Sequence, residues 1–332
     1  MAEPLLTISN LSTHFPTEGG PVKAVDEVTL QVAAGRVLGL VGESGCGKTM
    51  TALSVMRIVP PPGRVAGGSI RFQGQELLAL GEREMQQVRG RRIAMIFQEP
   101  MTALNPVLTA GEQVAEMLRH HLKMSRGEAK ARTIELFRQV GIPSPEERYR
   151  AYPHQLSGGL RQRIMIAMAI SCRPALIFAD EPTTALDVTI QAQILELLKQ
   201  LQRDLGLSLV LISHDLGVIA EMADEVAVMY AGRIVEQTTT ARLFANPLHP
   251  YTQGLLHSLP RRAPRDRRQR LVAIPGMVPQ LSHLPSGCTF HPRCAVAIAR
   301  CAGEEPELKP LAPAHAARCW VAEAKMAEAA GR

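Results

Sequence analysis

Gly42-Glu43-Ser44-Gly45-Cys46-Gly47-Lys48-Thr49 follows an apolar run and opens a helical pattern, in the spacing G-x-x-x-x-G-K-[ST]. Glycines at these places let the backbone curl until successive N–H groups face inward, a cradle for phosphate oxygens. The helix that starts there adds the positive end of its dipole. In such a loop Lys48 reaches the β- and γ-phosphates of a nucleoside triphosphate, and the Thr49 hydroxyl ligates Mg²⁺. Cys46 reads as a spacer whose side chain turns away from phosphate.

A second constellation lies further on. Leu176-Ile177-Phe178-Ala179-Asp180-Glu181 sets two carboxylates at the end of an apolar strand, and in α/β sheets ligands collect at that end. Asp180 suits the outer coordination sphere of Mg²⁺, and Glu181 suits polarising an attacking water. A hydrophobic run ending in Asp-Glu is common by itself. Beside the phosphate loop it points to nucleotide hydrolysis.

The elements that must position these groups follow from periodicity and punctuation. Strands are expected at 5–8, 22–32 and 36–41, and a helix at 48–59, stopped by Pro60-Pro61-Pro62-Gly63. Short strands around a helical stretch fill 68–98, helical spacing runs over 109–140, and another helix covers 159–171. Strands at 175–179, 208–212 and 225–230 then alternate with helices at 189–205 and 216–222, which predicts a parallel sheet with helical crossovers. A Pro- and Arg-rich stretch near 246–285 sets off a small tail.

Composition bounds the class. The 332 residues fit about two domains, and 46% hydrophobic with 20% charged residues is globular usage. No apolar run approaches the ~20 residues of a membrane span. The start, Met1-Ala2-Glu3-Pro4, shows no secretory pattern, so a soluble, cytosolic chain is expected. Net charge is +6, but 261–270 alone holds six arginines and one aspartate, which leaves +1 elsewhere. That run reads as a solvated linker, with contact to anionic lipid or a partner as the lesser reading. Nothing around it resembles a nucleic-acid surface.

Between the two constellations stands Leu156-Ser157-Gly158-Gly159-Leu160-Arg161-Gln162-Arg163. Here the chain resembles the ATP-binding subunits of ABC transporters, whose signature is LSGGQ; Leu160 replaces the glutamine. Other motifs match in order: Phe97-Gln98 is similar to the Q-loop, Ala185-Leu186-Asp187 to the D-loop, and Ser213-His214-Asp215 to the switch-histidine loop. Phe15 resembles the aromatic that stacks on adenine, although a core role is equally open to it. The resemblance covers about 5–260. It implies an α/β P-loop NTPase fold of the ABC type: an ATP-binding domain at 1–260 with a helical subdomain at about 99–172, and a cysteine-containing extension at 261–332.

By the same resemblance Gln98 contacts Mg²⁺ and water, and His214 holds the γ-phosphate and orients Glu181. Ser157, Gly158, Gly159 and Asp187 serve the ATP of a second ATPase subunit, identical or sibling, in a head-to-tail dimer. As an isolated residue His214 would read as structural; its place after an apolar strand favours the functional role.

The tail narrows the branch. Asn246-Pro247-Leu248-His249-Pro250-Tyr251-Thr252, Gly287-Cys288 and Pro292-Arg293-Cys294 resemble the C-terminal extension of dipeptide/oligopeptide importers, and Tyr152-Pro153-His154-Gln155 fits them too. This implies peptide uptake, with nickel or another small solute as the neighbouring possibility. It also implies two transmembrane permease subunits, an extracytoplasmic solute-binding protein, and a peripheral place on the cytoplasmic face of the bacterial inner membrane. Cys288, Cys294, Cys301 and Cys319, spaced C-x5-C-x6-C-x17-C, suit an iron–sulfur cluster or tetrahedral zinc. The resemblance favours [4Fe–4S], and unliganded thiols stay open. His291 and His315 are candidate substitute ligands, each read more readily as a surface residue. A soluble ABC ATPase acting on DNA or ribosomes is the competing class, but the chain has neither a second nucleotide domain nor a long coiled coil. A purely regulatory nucleotide-binding module would not need Glu181 and His214 together.

Overall fold

The computed structural model describes residues 3–258 and 274–330, so the arginine-rich run at 261–270 lies outside the described residues. The chain packs as two units, one built mainly from Ala79–Ile212, the other from Leu5–Gln31, Val37–Leu78 and Ser213–Arg332.

In the first unit the short apolar runs are parallel neighbours. Leu176–Asp180 lies between Ile93–Ile96 and Ser208–Ser213, pairing Leu176 with Ile93 on one side and with Ser208 on the other. All five residues of Leu176–Asp180 are buried, as expected of a parallel strand covered on both faces. The helical spacing over 109–140 is not one helix but two, Ala110–Leu122 and Arg126–Gln139. Lys123 ends the first in the left-handed region (φ 57°). Ser125 starts the second: its hydroxyl accepts from the Glu128 N–H and the Glu128 carboxylate accepts from its own N–H. Both helices pack on Gly158–Ile170, and Val114, Leu118, Phe137, Ile164 and Ile166 on these three helices are fully buried.

In the second unit Val37–Val41 runs parallel to Glu225–Tyr230, pairing Leu38 with Glu225 and Val41 with Val228. Arg233–Thr239 then returns antiparallel, and His315–Ala317 and Lys309–Ala312 from the tail extend this sheet. A second sheet runs in the order Val22–Val32, Leu6–Phe15, Arg64–Phe72, Gln75–Glu76. The strand expected at 5–8 thus continues to Phe15 through register shifts at Ser9–Ser12. The helix expected at 48–59 is Lys48–Met56; Arg57 turns left-handed (φ 53°) and donates its N–H back to Leu53 and Ser54.

The spacer expected from 246 on begins as packed structure. Tyr251, on the helix Pro250–His257, is fully buried. Just before it, the Leu248 and His249 N–H groups donate to the Glu236 carboxylate at 2.7 and 2.9 Å. Glu236 is wholly buried, and His315 Nε2 meets it at 2.7 Å. Burial opposes its ionisation, yet the bonds from His315, Leu248 and His249 hold its carboxyl below the ordinary carboxylate range. His315 is therefore no surface residue: it is 4% exposed and satisfies a buried acid. His249 is buried as well, and loss of hydration drives its imidazole down to about 4, so it stays neutral while Nδ1 accepts the Tyr251 N–H.

Candidate functional site

The phosphate loop is positioned by Val37–Val41, buried throughout, and by the helix beginning at Lys48. Two glycines are dictated by close approach. A Cβ on Gly42 would stand 2.1 Å from the Met229 carbonyl oxygen, and one on Gly47 (φ +105°) 2.3 Å from that of Ala24. Lys48 is only 5% exposed. Its ammonium donates to the carbonyls of Gly42 at 2.7 Å and Glu43 at 3.0 Å. Ser44 and Gly45 are exposed and Thr49 is half-buried. Cys46 is fully buried with its sulfur 3.8 Å from the Lys48 nitrogen, and burial pushes its thiol up.

Glu43, expected to supply only an amide, does more. Its N–H donates to the Tyr251 hydroxyl at 2.8 Å, and its carboxylate takes both terminal nitrogens of Arg293 at 2.8 and 3.1 Å. Nothing in the spacing of 42–49 signals a partner 250 residues away. The one available clue is a charged side chain where the loop needs none. In the same unit Phe15 is half-buried and lays its ring on Gly63, where a Cβ would stand 2.5 Å from the ring. His214 is exposed in a turn fixed on both sides: the Asp215 N–H donates to the Ser213 hydroxyl at 2.9 Å, and Asp215 caps Leu216–Met222 by accepting from Gly217 at 2.7 Å.

The other unit brings Gln98 and Glu181 together. Asp180 is 2% exposed at the end of its strand. Glu181 turns left-handed (φ 43°) and donates its N–H to the Ile212 carbonyl at 2.9 Å. Its Oε2 accepts from Gln98 Nε2 at 3.1 Å and from the Thr184 hydroxyl at 2.9 Å. The sequence assigned Thr184 no role of its own, although it sits three residues on in the same turn. A non-glycine residue in this backbone region is costly, and such conformations gather where a side chain must be aimed.

Signature and D-loop residues also meet in this unit. Ser157 caps the helix Gly158–Ile170, accepting from the Leu160 N–H at 3.4 Å. A Cβ on Gly159 would stand 2.9 Å from Ile190, and one on Gly158 3.4 Å from Leu186. Asp187 caps Val188–Leu205 by accepting from Ile190 at 2.9 Å. The two motifs are thus held together, with Ser157 and Asp187 exposed.

The tail thiols are unpaired by disulfides; Cys288 and Cys294 are half-buried, Cys301 and Cys319 buried. Burial pushes the Cys288 thiol up to about 11, with Cys301, Cys319 and Cys294 adding to the effect. Burial also raises Cys294 and Cys319, and each of them feels Cys301. Among the described residues, however, no group of three or more His, Cys, Asp or Glu is placed to hold a metal ion. The expected ligation of iron–sulfur or zinc therefore has no formed ligand set behind it. His291 is half-buried, with Nδ1 3.0 Å from the Cys288 carbonyl.

A buried strand, a glycine loop closed by a lysine, and the helix it opens define a nucleoside-triphosphate-binding protein of the phosphate-loop class. Residues 25–184 match the ABC transporter family, and residues 235–301 match the oligopeptide/dipeptide transporter C-terminal region. The chain is 49% identical to the dipeptide transport ATP-binding protein of Escherichia coli, over 95% of this chain and 96% of that one. It is 48% identical to an oligopeptide transport ATP-binding protein of Bacillus subtilis, over 98% of each. Among solved structures, the ATP-binding cassette MJ0796, a dimer in a post-hydrolysis state bound to ADP and phosphate, superposes with a TM-score of 0.64. It shares 26% identity, covering 71% of this chain and 98% of that one. The chain belongs to the ATP-binding subunits of ABC transporters, in the dipeptide/oligopeptide branch, and is an ABC-type ATPase. Among the described residues no helix is long and apolar enough to cross a membrane.

Proposed function

We propose that this chain is the motor subunit of a peptide importer, coupling ATP binding and hydrolysis to uptake of dipeptides or oligopeptides through two transmembrane permease subunits. What carries the reading is the joint match of 25–184 and 235–301, an ABC core and the peptide-branch C-terminal region on one chain. In this reading 1–260 is the ATP-binding domain, 99–172 its helical part, and 261–332 the extension. The chain sits peripherally on the cytoplasmic face of the membrane, beside a second ATPase subunit, and an extracytoplasmic binding protein delivers the substrate.

The roles follow from the residues. The loop amides and Lys48 grip the phosphates of MgATP, Thr49 and Gln98 hold its Mg²⁺ with Asp180 behind them, and Phe15 stacks on adenine. Glu181, braced by Gln98 and Thr184, polarises the attacking water. His214 holds the γ-phosphate. Ser157, Gly158, Gly159 and Asp187 face the ATP of the partner subunit, so a lone subunit turns over slowly. Co-reconstitution with the permease subunits and binding protein in vesicles is expected to give ATP-dependent accumulation of labelled dipeptide. Accumulation of nickel in its place, or of neither, overturns the substrate assignment.

We read Cys288, Cys294, Cys301 and Cys319 as holders of a [4Fe–4S] cluster on the chemistry of a donor set made of thiols alone, which would have to draw together to ligate it, since the described residues hold no formed ligand set. Bound there, a cluster would be held by the four thiolates and would supply a one-electron couple. Iron and acid-labile sulfide are expected in complex purified without oxygen. Folded protein lacking both sinks this part of the reading, and zinc at one per chain replaces it.

A further inference from the structure

The phosphate loop carries an acid its chemistry does not ask for. At the second position of the loop the N–H is committed to Tyr251, and a carboxylate there sets negative charge beside a polyanion, which repels. At Glu43 that charge is answered from the far end of the chain. The Arg293 guanidinium meets the carboxylate with both terminal nitrogens, a two-pronged geometry that fixes orientation as well as charge. Its side chain is 5% exposed. It is held in turn by its Nε bond to the Pro275 carbonyl at 3.0 Å and by Tyr230, whose hydroxyl lies 3.4 Å from it. The hydrogen bonds to Glu43 keep the guanidinium charged well above the usual range.

A second tether acts on the same residue. Tyr251 is fully buried, and its hydroxyl accepts the Glu43 N–H. Its ring packs against Tyr230 and Phe290 at centroid distances of 4.7 and 5.4 Å. Tyr251, Phe290 and Arg293 all lie in the C-terminal region, and Arg293 is the chain neighbour of Cys294. The C-terminal region 235–301 is thus fastened to the loop by a charge-matched fork and a buried hydroxyl, both at one residue.

We propose that Arg293 and Tyr251 are positioning residues for nucleotide binding: docked, the C-terminal region cancels the Glu43 charge and fixes the curl of the loop, so that affinity for MgATP depends on the tail. The inference rests on the reading of 42–49 as the nucleotide loop. It separates the tail's effect on binding from the chemistry, since neither side chain is assigned to the reacting atoms.

The test is MgATP titration of the full chain, with kcat and KM for ATP in the permease complex. Arg293→Gln is expected to raise Kd and KM roughly tenfold or more, with kcat within about twofold, because an unanswered carboxylate is left beside the phosphates. Arg293→Lys keeps the charge without the fork and falls between. Adding Glu43→Gln to Arg293→Gln leaves Kd no higher than in Arg293→Gln alone, because the two side chains act as one pair. Tyr251→Phe raises KM a few-fold. Multiplying losses in the double variant, or a fall in kcat at unchanged KM, assign a merely structural role and overturn the proposal. If Arg293→Gln fails to fold, Arg293→Lys and Tyr251→Phe decide by the same split, and wild-type affinity in both overturns it. Failure of the unmodified chain to bind MgATP overturns the nucleotide reading itself.

Discussion

Glu181→Gln is expected to leave MgATP binding intact while lowering turnover in the assembled transporter by roughly 10²–10⁴, the usual contribution of a positioned general base. The geometry argues for a base held ready and not for an ornamental carboxylate. The residue stands one step past a fully buried strand, in a left-handed turn that an ordinary side chain avoids. Its N–H is tied to Ile212, and one carboxylate oxygen receives both Gln98 and Thr184. Glutamine has the same shape and its amide oxygen still accepts from Thr184, so the turn survives. What disappears is the capacity to take a proton from water. Phosphate release by the complex, set beside an MgATP titration, separates the two. Turnover within about threefold of wild type would remove Glu181 as the base; lost binding would recast it as part of the nucleotide grip.

Much of this site could be read before the fold, because its chemistry is local. The phosphate loop needs glycines at fixed offsets, and two of them prove to be places where a single methyl group would strike a carbonyl oxygen. The strand before Glu181 announced itself by four successive apolar residues ahead of Asp180, the pattern of a strand covered on both faces. Even the break in the helical stretch at 109–140 was legible: Ser125-Arg126-Gly127-Glu128 is a capping box, overlooked because the apolar spacing continues across it.

What stayed hidden depends on groups far apart in the chain. Glu43 meets Arg293 and Tyr251, and Glu236 meets His315, across 250, 208 and 79 residues. In each case one side chain is a buried or half-buried acid whose presence makes sense only with its donor in view, since an unpartnered buried carboxylate is too costly to keep. The same logic misled the reading of the stretch after 246. A run rich in proline looks like a spacer until Glu236 supplies the acceptor for its N–H groups. His315 likewise looks like a surface residue until the acid beneath it is seen. Pairing, more than composition, turned the tail from an appendage into part of the second unit's sheet.

Lys48→Ala is expected to weaken MgATP binding by two orders of magnitude or more and to abolish ATP-driven uptake. The ammonium is buried, and it rests on the carbonyls of Gly42 and Glu43 within the curl it closes. A phosphate entering the cradle draws on a charge already stored at its mouth, and the side chain trades two neutral acceptors for anionic ones. Hydrogen bonds to charged groups contribute about 1.5–3 kcal/mol each. Loss of two such bonds corresponds to about 3–6 kcal/mol, or two to four decades in Kd. Alanine is a good helix former in the first turn, so the helix Lys48–Met56 persists. The Gly42 carbonyl loses its donor inside the protein, so the variant also gives up some loop stability. Arginine does not rescue, because its rigid fork cannot settle between two carbonyls spaced for a compact ammonium. Calorimetric titration with MgATP, alongside a thermal melt to show that the chain is folded, checks the result. A folded Lys48→Ala chain whose Kd lies within about threefold of wild type would mean that the amide cradle alone carries the affinity, and Lys48 would lose its place as the phosphate-gripping charge.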